Sequence, residues 1–357
     1  MALLIALAGC ERPPVDSVQH GYRGTGMLQV YNPRTLEEAA SINEVPAIAS
    51  PARVRPNAPK AGDVYQNVQV LGDLTLAEFG RTMDSITAWV SPEASCNYCH
   101  IADNFADDSV YTKVVARRML QMVQSLNKDW STHVGQTGVT CYTCHRGQPL
   151  PTQTWFTPLE NRVGADFIGN RNGQNAPSPV VGLASLPNEV LSTFLTSEKT
   201  APSVRIGGSR ALPVDNQNRS SIQQTESTYG LMMHMSASLG VNCTYCHNTR
   251  AFASWAESTP QRVTAWYGLR MVRNINSEYL SPLSATFPAV PIGRLGPGGD
   301  AAKVHCGTCH QGAYKPLYGA PMAKHFPAML GIASNAPSAV APSPSVEVSE
   351  TAVAPQK

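Results

Sequence analysis

The sequence is poor in charge. Charged residues fill 15% of its 357 positions and the formal balance is only +2, against about 25% charged in an average soluble domain. A near-neutral chain has no basic footprint, which excludes nucleic acid as a partner. No apolar stretch approaches the roughly 18 residues that a membrane-spanning helix needs, and aromatics reach only 7%. What the chain has in quantity is punctuation, with 28 Pro and 27 Gly. They are spread rather than periodic, which excludes a collagen-like array and points to long irregular connections between short elements. The 42% apolar content is that of an ordered protein, and the length allows two or three domains.

Nine cysteines fall far short of the roughly 8–10% of a disulfide scaffold. Eight of them form four Cys-x-x-Cys-His units: Cys96, Cys99 and His100; Cys141, Cys144 and His145; Cys243, Cys246 and His247; Cys306, Cys309 and His310. The chain's own composition would supply on the order of one hundredth of one such unit by chance. Each reads as a c-type haem attachment. Two thiols at this spacing reach the two vinyl groups as thioethers, and the adjacent His turns beneath the iron as axial ligand. A structural zinc site explains Cys pairs but gives no reason for a His after every pair. The expected cofactors are therefore four covalently bound haem c groups.

The ninth cysteine, Cys10, closes an apolar opening segment whose Leu7-Ala8-Gly9-Cys10 looks like a lipoprotein cleavage box. Residues 1–10 read as a lipoprotein-type signal remnant, with lipid on Cys10 anchoring the chain to the outer face of a membrane. Residues 11–70 lack helical or strand periodicity and read as an extended N-terminal arm. Residues 71–150 hold the first and second haem units, 151–224 are a connecting segment rich in Pro, Asn, Gly and Ser, and 225–335 hold the third and fourth. Residues 336–357 read as a disordered tail.

The two haem-bearing segments repeat. Thr75 and Glu78 form a capping box, and Leu76, Phe79, Met83, Ile86 and Val90 follow at helical spacing. A second helix carries Tyr111, Val115, Met119, Met122 and Leu126 on one face. Adding 149 to Met83, Val114, Met122, Leu126 and Asn127 lands on Met232, Val263, Met271, Ile275 and Asn276, giving an A-B-A-B order of haem units. The fold class expected is mainly α with much irregular chain, in two pseudo-symmetric halves each holding two haems.

A second protein ligand closes a haem iron to substrates and leaves only electron transfer. Met83, Met119 and Met232 stand on the haem-facing stripe or at its repeat position, and each is a candidate axial thioether. For the fourth unit the position equivalent to Met119 is Gly268. Met271 lies one turn away but aligns with a core residue, His20 and His325 are in arm-like or terminal stretches, His305 abuts Cys306, and His234 lies in a Met cluster. His133 is left as the first candidate, with Met271 and His305 behind it. Met122, Met233, Met235 and Met271 read as core filling. Arg262, Arg270 and Arg273 either raise nearby potentials or pair with haem propionates.

Over residues 71–320 these motifs resemble the tetrahaem cytochrome c subunit of the purple-bacterial photosynthetic reaction centre. The resemblance implies Met/His ligation at three irons and His/His at the fourth, with the distal His eight residues before the second unit's first Cys, which is the spacing of His133 to Cys141. It also implies a periplasmic, lipid-anchored subunit on the L and M subunits, part of the photosynthetic inner membrane. Such a subunit accepts electrons from a soluble periplasmic cytochrome c or high-potential iron-sulfur donor and re-reduces the photo-oxidised special pair. The implied order from the special pair is third haem, fourth, second, first. The chain is then an electron-transfer subunit rather than an enzyme; the alternatives are a multihaem periplasmic oxidoreductase and a freestanding electron store. Around the first unit, seven acids (Asp73, Glu78, Asp84, Glu93, Asp103, Asp107 and Asp108) against one base, Arg81, form a candidate docking patch for a basic donor.

Overall fold

The computed structural model describes residues 14–19, 28–48, 50, 51, 55, 57–158, 178–206, 222–288 and 294–331. Cys10, His20 and the 336–357 tail lie outside the described residues. The chain is mainly helical with much irregular backbone, as the Pro and Gly content requires.

The first strands, β1 (Asp16–Gln19) and β2 (Leu28–Tyr31), pair antiparallel with Asp16 opposite Tyr31. Helix α1 (Pro33–Ile42) follows within the arm that showed no periodicity. Its start is encoded by Asn32, whose Oδ1 accepts from Arg34 N at 3.1 Å, and by Pro33 at the first helical position. Leu36, Ala39 and Ala40 share one face of this ten-residue helix, but Ala39 is its single buried residue. At its end Asn43, 3% exposed, donates to Ala39 O at 2.8 Å and Gln311 O at 3.0 Å. Its oxygen accepts from Leu317 N and Arg146. The arm is thus bonded onto the chain after the fourth haem unit.

After the short α2 (Ala61–Val64) comes α3 (Leu76–Val90), which carries the expected capping box: Thr75 N donates to Glu78 Oε2 at 3.0 Å and Thr75 Oγ1 accepts from Glu78 N. Helix α4 (Tyr111–Asp129) leads to α5 (Ser131–Val134) and to α6 (Cys141–His145), which is the second haem unit itself. Strand β3 (Thr154–Trp155) and α7 (Val190–Leu195) lie in the middle segment. Helix α8 (Ile222–Leu239) precedes the third unit, and α9 (Pro260–Asn274) runs into a π turn at Ile275–Leu280. Strand β4 (Lys303–Val304) pairs with β3, and α10 (Cys306–His310) is the fourth unit.

Two apolar cores organise these pieces. The larger joins Trp89 of α3, Leu120, Val123 and Leu126 of α4, Met271 and Ile275 from the α9 region, and Phe326 and Met329 near the end of the described chain. Met122, Val115 and Met119 pack against it. The smaller is built largely by the middle segment: Val181, Val190, Leu191, Phe194 and Leu195 bury themselves on Leu231 of α8 and on Leu269 and Val272 of α9. The segment read as a connection therefore supplies core. Burying a Leu, Val or Phe side chain contributes about 1.5–3 kcal/mol each.

Candidate functional site

The first and third haem units share one local geometry, the second and fourth another. Cys96 and Cys243 lie in short 3₁₀ turns, Ser95–Tyr98 and Cys243–Tyr245. His100 Nδ1 then meets Phe105 O at 3.1 Å, and His247 Nδ1 meets Phe252 O at 2.9 Å, each acceptor five residues on. Each imidazole stacks on that same Phe, with ring centroids 4.8 and 4.3 Å apart. Cys141 and Cys306 instead open α-helical turns, capped by Thr140 with Thr143 and by His305 with Thr308. There His145 Nδ1 meets Gln148 O at 2.8 Å and His310 Nδ1 meets Ala313 O at 2.9 Å, each three residues on.

In all four cases an Nδ1–H donating to a backbone carbonyl fixes the tautomer and turns the bare Nε2 outward, the arrangement that a metal-ligating imidazole requires. Burial holds His145 and His247 below the ordinary imidazole range and pushes His310 down to about 4, so the rings stay neutral. None of the eight motif cysteines is paired in a disulfide. Among the described residues no three His, Cys, Asp or Glu side chains converge as a direct cage for a metal ion.

A continuous cavity of about 1180 Å³ runs through three units, touching Cys96, Cys99 and His100, then Cys141, Cys144 and His145, then Cys306, Cys309 and His310. That exceeds the roughly 300–1,000 Å³ of a single small-molecule pocket. Met83, Met119, His133 and Gly268 line it too. Cys243, Cys246, His247 and Met232 stand outside it; Met232 is half-buried against the smaller core.

His133, on α5, sits against α9. Its Nδ1 meets Thr264 O at 2.9 Å, so it too points a bare Nε2 away from its carbonyl. Its ring lies where a side chain at Gly268 would be: a Cβ there would stand 2.7 Å from Nδ1 and 3.0 Å from Nε2. Across the gap, the His133 and His310 ring centroids are 6.1 Å apart. Two metal–nitrogen bonds of about 2 Å, with half a ring at either end, span roughly 6 Å. The pair therefore fits one iron between two imidazoles.

The competing candidates, His305 and Met271, line the same cavity but have other contacts. His305 Nδ1 accepts from Gly307 N at 3.0 Å as the cap of α10, and its ring packs edge-on against His234, centroids 4.7 Å apart. Met271 is buried in the larger core. Arg270 and Arg273 both reach Glu198 at 2.9 Å, whereas Arg262 lies against the Phe252 carbonyl that serves His247.

A residue missed by sequence reasoning is Arg146, directly after His145 in the left-handed conformation. Its Nη2 donates to Asn43 Oδ1 at 3.1 Å and to Cys309 O at 3.2 Å, which puts its guanidinium between the second and fourth units. Its Nε and Nη1 are buried without a partner. An uncompensated buried cation is costly, and the propionates of a haem are the carboxylates that would satisfy it. No sequence spacing announces this, because the partner is not in the chain.

Comparison with known proteins leads to the same place. Residues 11–330 match the family described as the photosynthetic reaction centre cytochrome C subunit. The photosynthetic reaction center cytochrome c subunit of Rubrivivax gelatinosus is 56% identical over 323 residues, covering 90% of this chain and 86% of that one. The subunits of the same name from Thermochromatium tepidum and Roseobacter denitrificans are 50% and 42% identical, covering 91% and 87% of this chain and 78% and 84% of theirs. The family carries covalent haem c and works in a membrane-associated assembly, while among the described residues no helix is long and apolar enough to cross a membrane. The chain belongs to the photosynthetic reaction centre cytochrome c subunit family.

Proposed function

We propose that the chain accepts electrons from a soluble periplasmic cytochrome c or high-potential iron-sulfur donor and re-reduces the photo-oxidised special pair carried by the L and M subunits. Four haem c groups are assigned to the thiols of Cys96 and Cys99, Cys141 and Cys144, Cys243 and Cys246, and Cys306 and Cys309. Haem iron, when bound, carries one electron by alternating between ferric and ferrous states. His100, His145, His247 and His310 would each give a nitrogen to a haem iron, and their carbonyl partners hold the rings in place. Met83, Met119, Met232 and His133 are assigned to the opposite faces in that order. With a second protein ligand on each, no iron would be left for a substrate, so the chain is read as a carrier and not an enzyme. Residues 71–150 and 225–335 are assigned two haems each, and lipid on Cys10 would tether the subunit to the periplasmic face of the membrane.

The observation that carries this reading is the opposition of His133 and His310 over Gly268. A reductase would need an open iron at one unit, and at the fourth, which lacks the methionine, the imidazole of His133 would fill the place. The test is haem content by pyridine haemochrome, followed by carbon monoxide titration of the native reduced protein at neutral pH. Four haems per chain with negligible carbon monoxide uptake is expected; stoichiometric uptake would replace the carrier reading with the oxidoreductase one.

A further inference from the structure

The carbonyl that serves His100 has a second donor. Phe105 O accepts from His100 Nδ1 at 3.1 Å and from Lys113 Nζ at 2.8 Å. Lys113 is 7% exposed, and the same ammonium bonds Asp107 O at 2.8 Å and Asp108 Oδ1 at 3.0 Å. The residue 149 positions later is Arg262. Its Nη1 approaches Phe252 O, the acceptor of His247, at 3.4 Å while donating to Ser254 O at 2.7 Å. Both A-type units therefore set a cation against the carbonyl that holds the imidazole. The stronger cation contact, at Lys113, goes with the longest imidazole contact of the four units, 3.1 Å against 2.8, 2.9 and 2.9 Å.

A backbone carbonyl has two lone pairs and can accept from both donors. The two do not act independently. A charge-assisted bond draws electron density from the oxygen, which becomes a poorer acceptor for the imidazole N–H. Since donation from Nδ1–H raises the basicity of a ligating imidazole, sharing the acceptor lowers it, and a less basic ligand stabilises ferric iron less. We infer that Lys113 is a positioning residue for the first unit, whose ammonium shares the Phe105 carbonyl with His100 and thereby raises the reduction potential of that unit. The inference rests on the proposed ligation by His100. Nothing in the motif itself marks Lys113, because the carbonyl they share is backbone.

The experiment is a spectroelectrochemical titration of the full haem-loaded chain, comparing Lys113→Met, Lys113→Arg and Arg117→Met. Lys113→Met should lower one of the four midpoint potentials by about 59 mV, a tenfold change in a one-electron equilibrium, and leave the other three in place. Lys113→Arg, which keeps a charged donor, should restore most of it. Arg117 separates the shared carbonyl from charge alone: it pairs with the same Asp108 but bonds Asn67 O rather than Phe105 O, so Arg117→Met should shift that potential much less. Should Lys113→Met fail to fold, Lys113→Gln, a neutral N–H donor, is read instead and should fall between Met and Arg. Equal shifts in the Lys113 and Arg117 variants, or none in either, would overturn the inference. A wild-type chain without four titrating haems would instead overturn the reading beneath it.

Discussion

Replacing Gly268 with alanine puts a methyl group into the His133 ring, less than 3 Å from its Nδ1. The neighbour is a ring held at Thr264 O and not the loose end of a flexible chain, so the clash is met by displacing the imidazole. Overpacking of this kind costs about 1–3 kcal/mol. Gly268→Ala should therefore keep all four haems attached through their thiols yet open the fourth iron. The readout is carbon monoxide uptake rising from negligible to one equivalent per chain; unchanged uptake with an unchanged low-spin signal would mean that His133 is not the ligand. The placing of His133 against Gly268 was legible in the sequence because the repeat exposed a missing side chain. Arg146 and Lys113 were not, since their significance lies in a backbone carbonyl or a carboxylate brought near by folding.

At the scale of elements, helices with apolar faces were legible: α3 from its capping box to Val90, and α4 from Tyr111 onward. Helix α1 and the smaller core were not. Helix α1 is ten residues long, has small alanines on its apolar face and buries one of them, while α7, six residues long, is too short to show a period. The cap of α10 carries its own pH dependence. Burial, with the neighbouring His234, pushes His305 down to about 3, and burial pushes His234 down to about 4, from an ordinary 6.5. Both bases are depressed in the folded chain, so below pH 6.5 the unfolded chain takes up protons that the folded one refuses. Their contribution is complete above pH 6.5 and is lost as pH falls toward 4 and then 3. The slope is about 1.4 kcal/mol per pH unit for each proton. Denaturant midpoints from pH 7 to 4.5 should fall less steeply in His234→Leu than in wild type, and parallel slopes would contradict this.

For the whole molecule, the acidic face around the first unit is smaller than its seven carboxylates suggest. Asp73 pairs with Lys60 at 3.0 Å and Asp108 is gripped by Arg117 and Lys113, while Glu78 and Asp107 keep their charge but turn it on local N–H groups, in the α3 cap and on Ser109 N at 2.6 Å. Hydrogen bonds from Arg117 and Asn67 hold the Asp108 carboxyl well below the usual carboxylate range. These partners come from outside the acidic stretch or serve local turns, which a charge count along the chain does not register. Asp84, Glu93 and Asp103 are exposed and free of the ion pairs that Asp73 and Asp108 make, which makes them the first choice for steering. Neutralising all three should slow second-order reduction by a basic cytochrome several-fold and flatten its salt dependence; a rate indifferent to both changes would move the docking face elsewhere.

The central claim is that this chain delivers electrons to a photo-oxidised special pair. Flash spectroscopy on membranes containing the subunit tests it directly, with the haems reduced beforehand and the haem and special-pair absorbance followed together. A single flash should oxidise one haem with the kinetics of special-pair re-reduction, and successive flashes should draw on all four. Special-pair recovery at the same rate in membranes lacking the subunit, with no haem bleaching in those that contain it, would contradict the account.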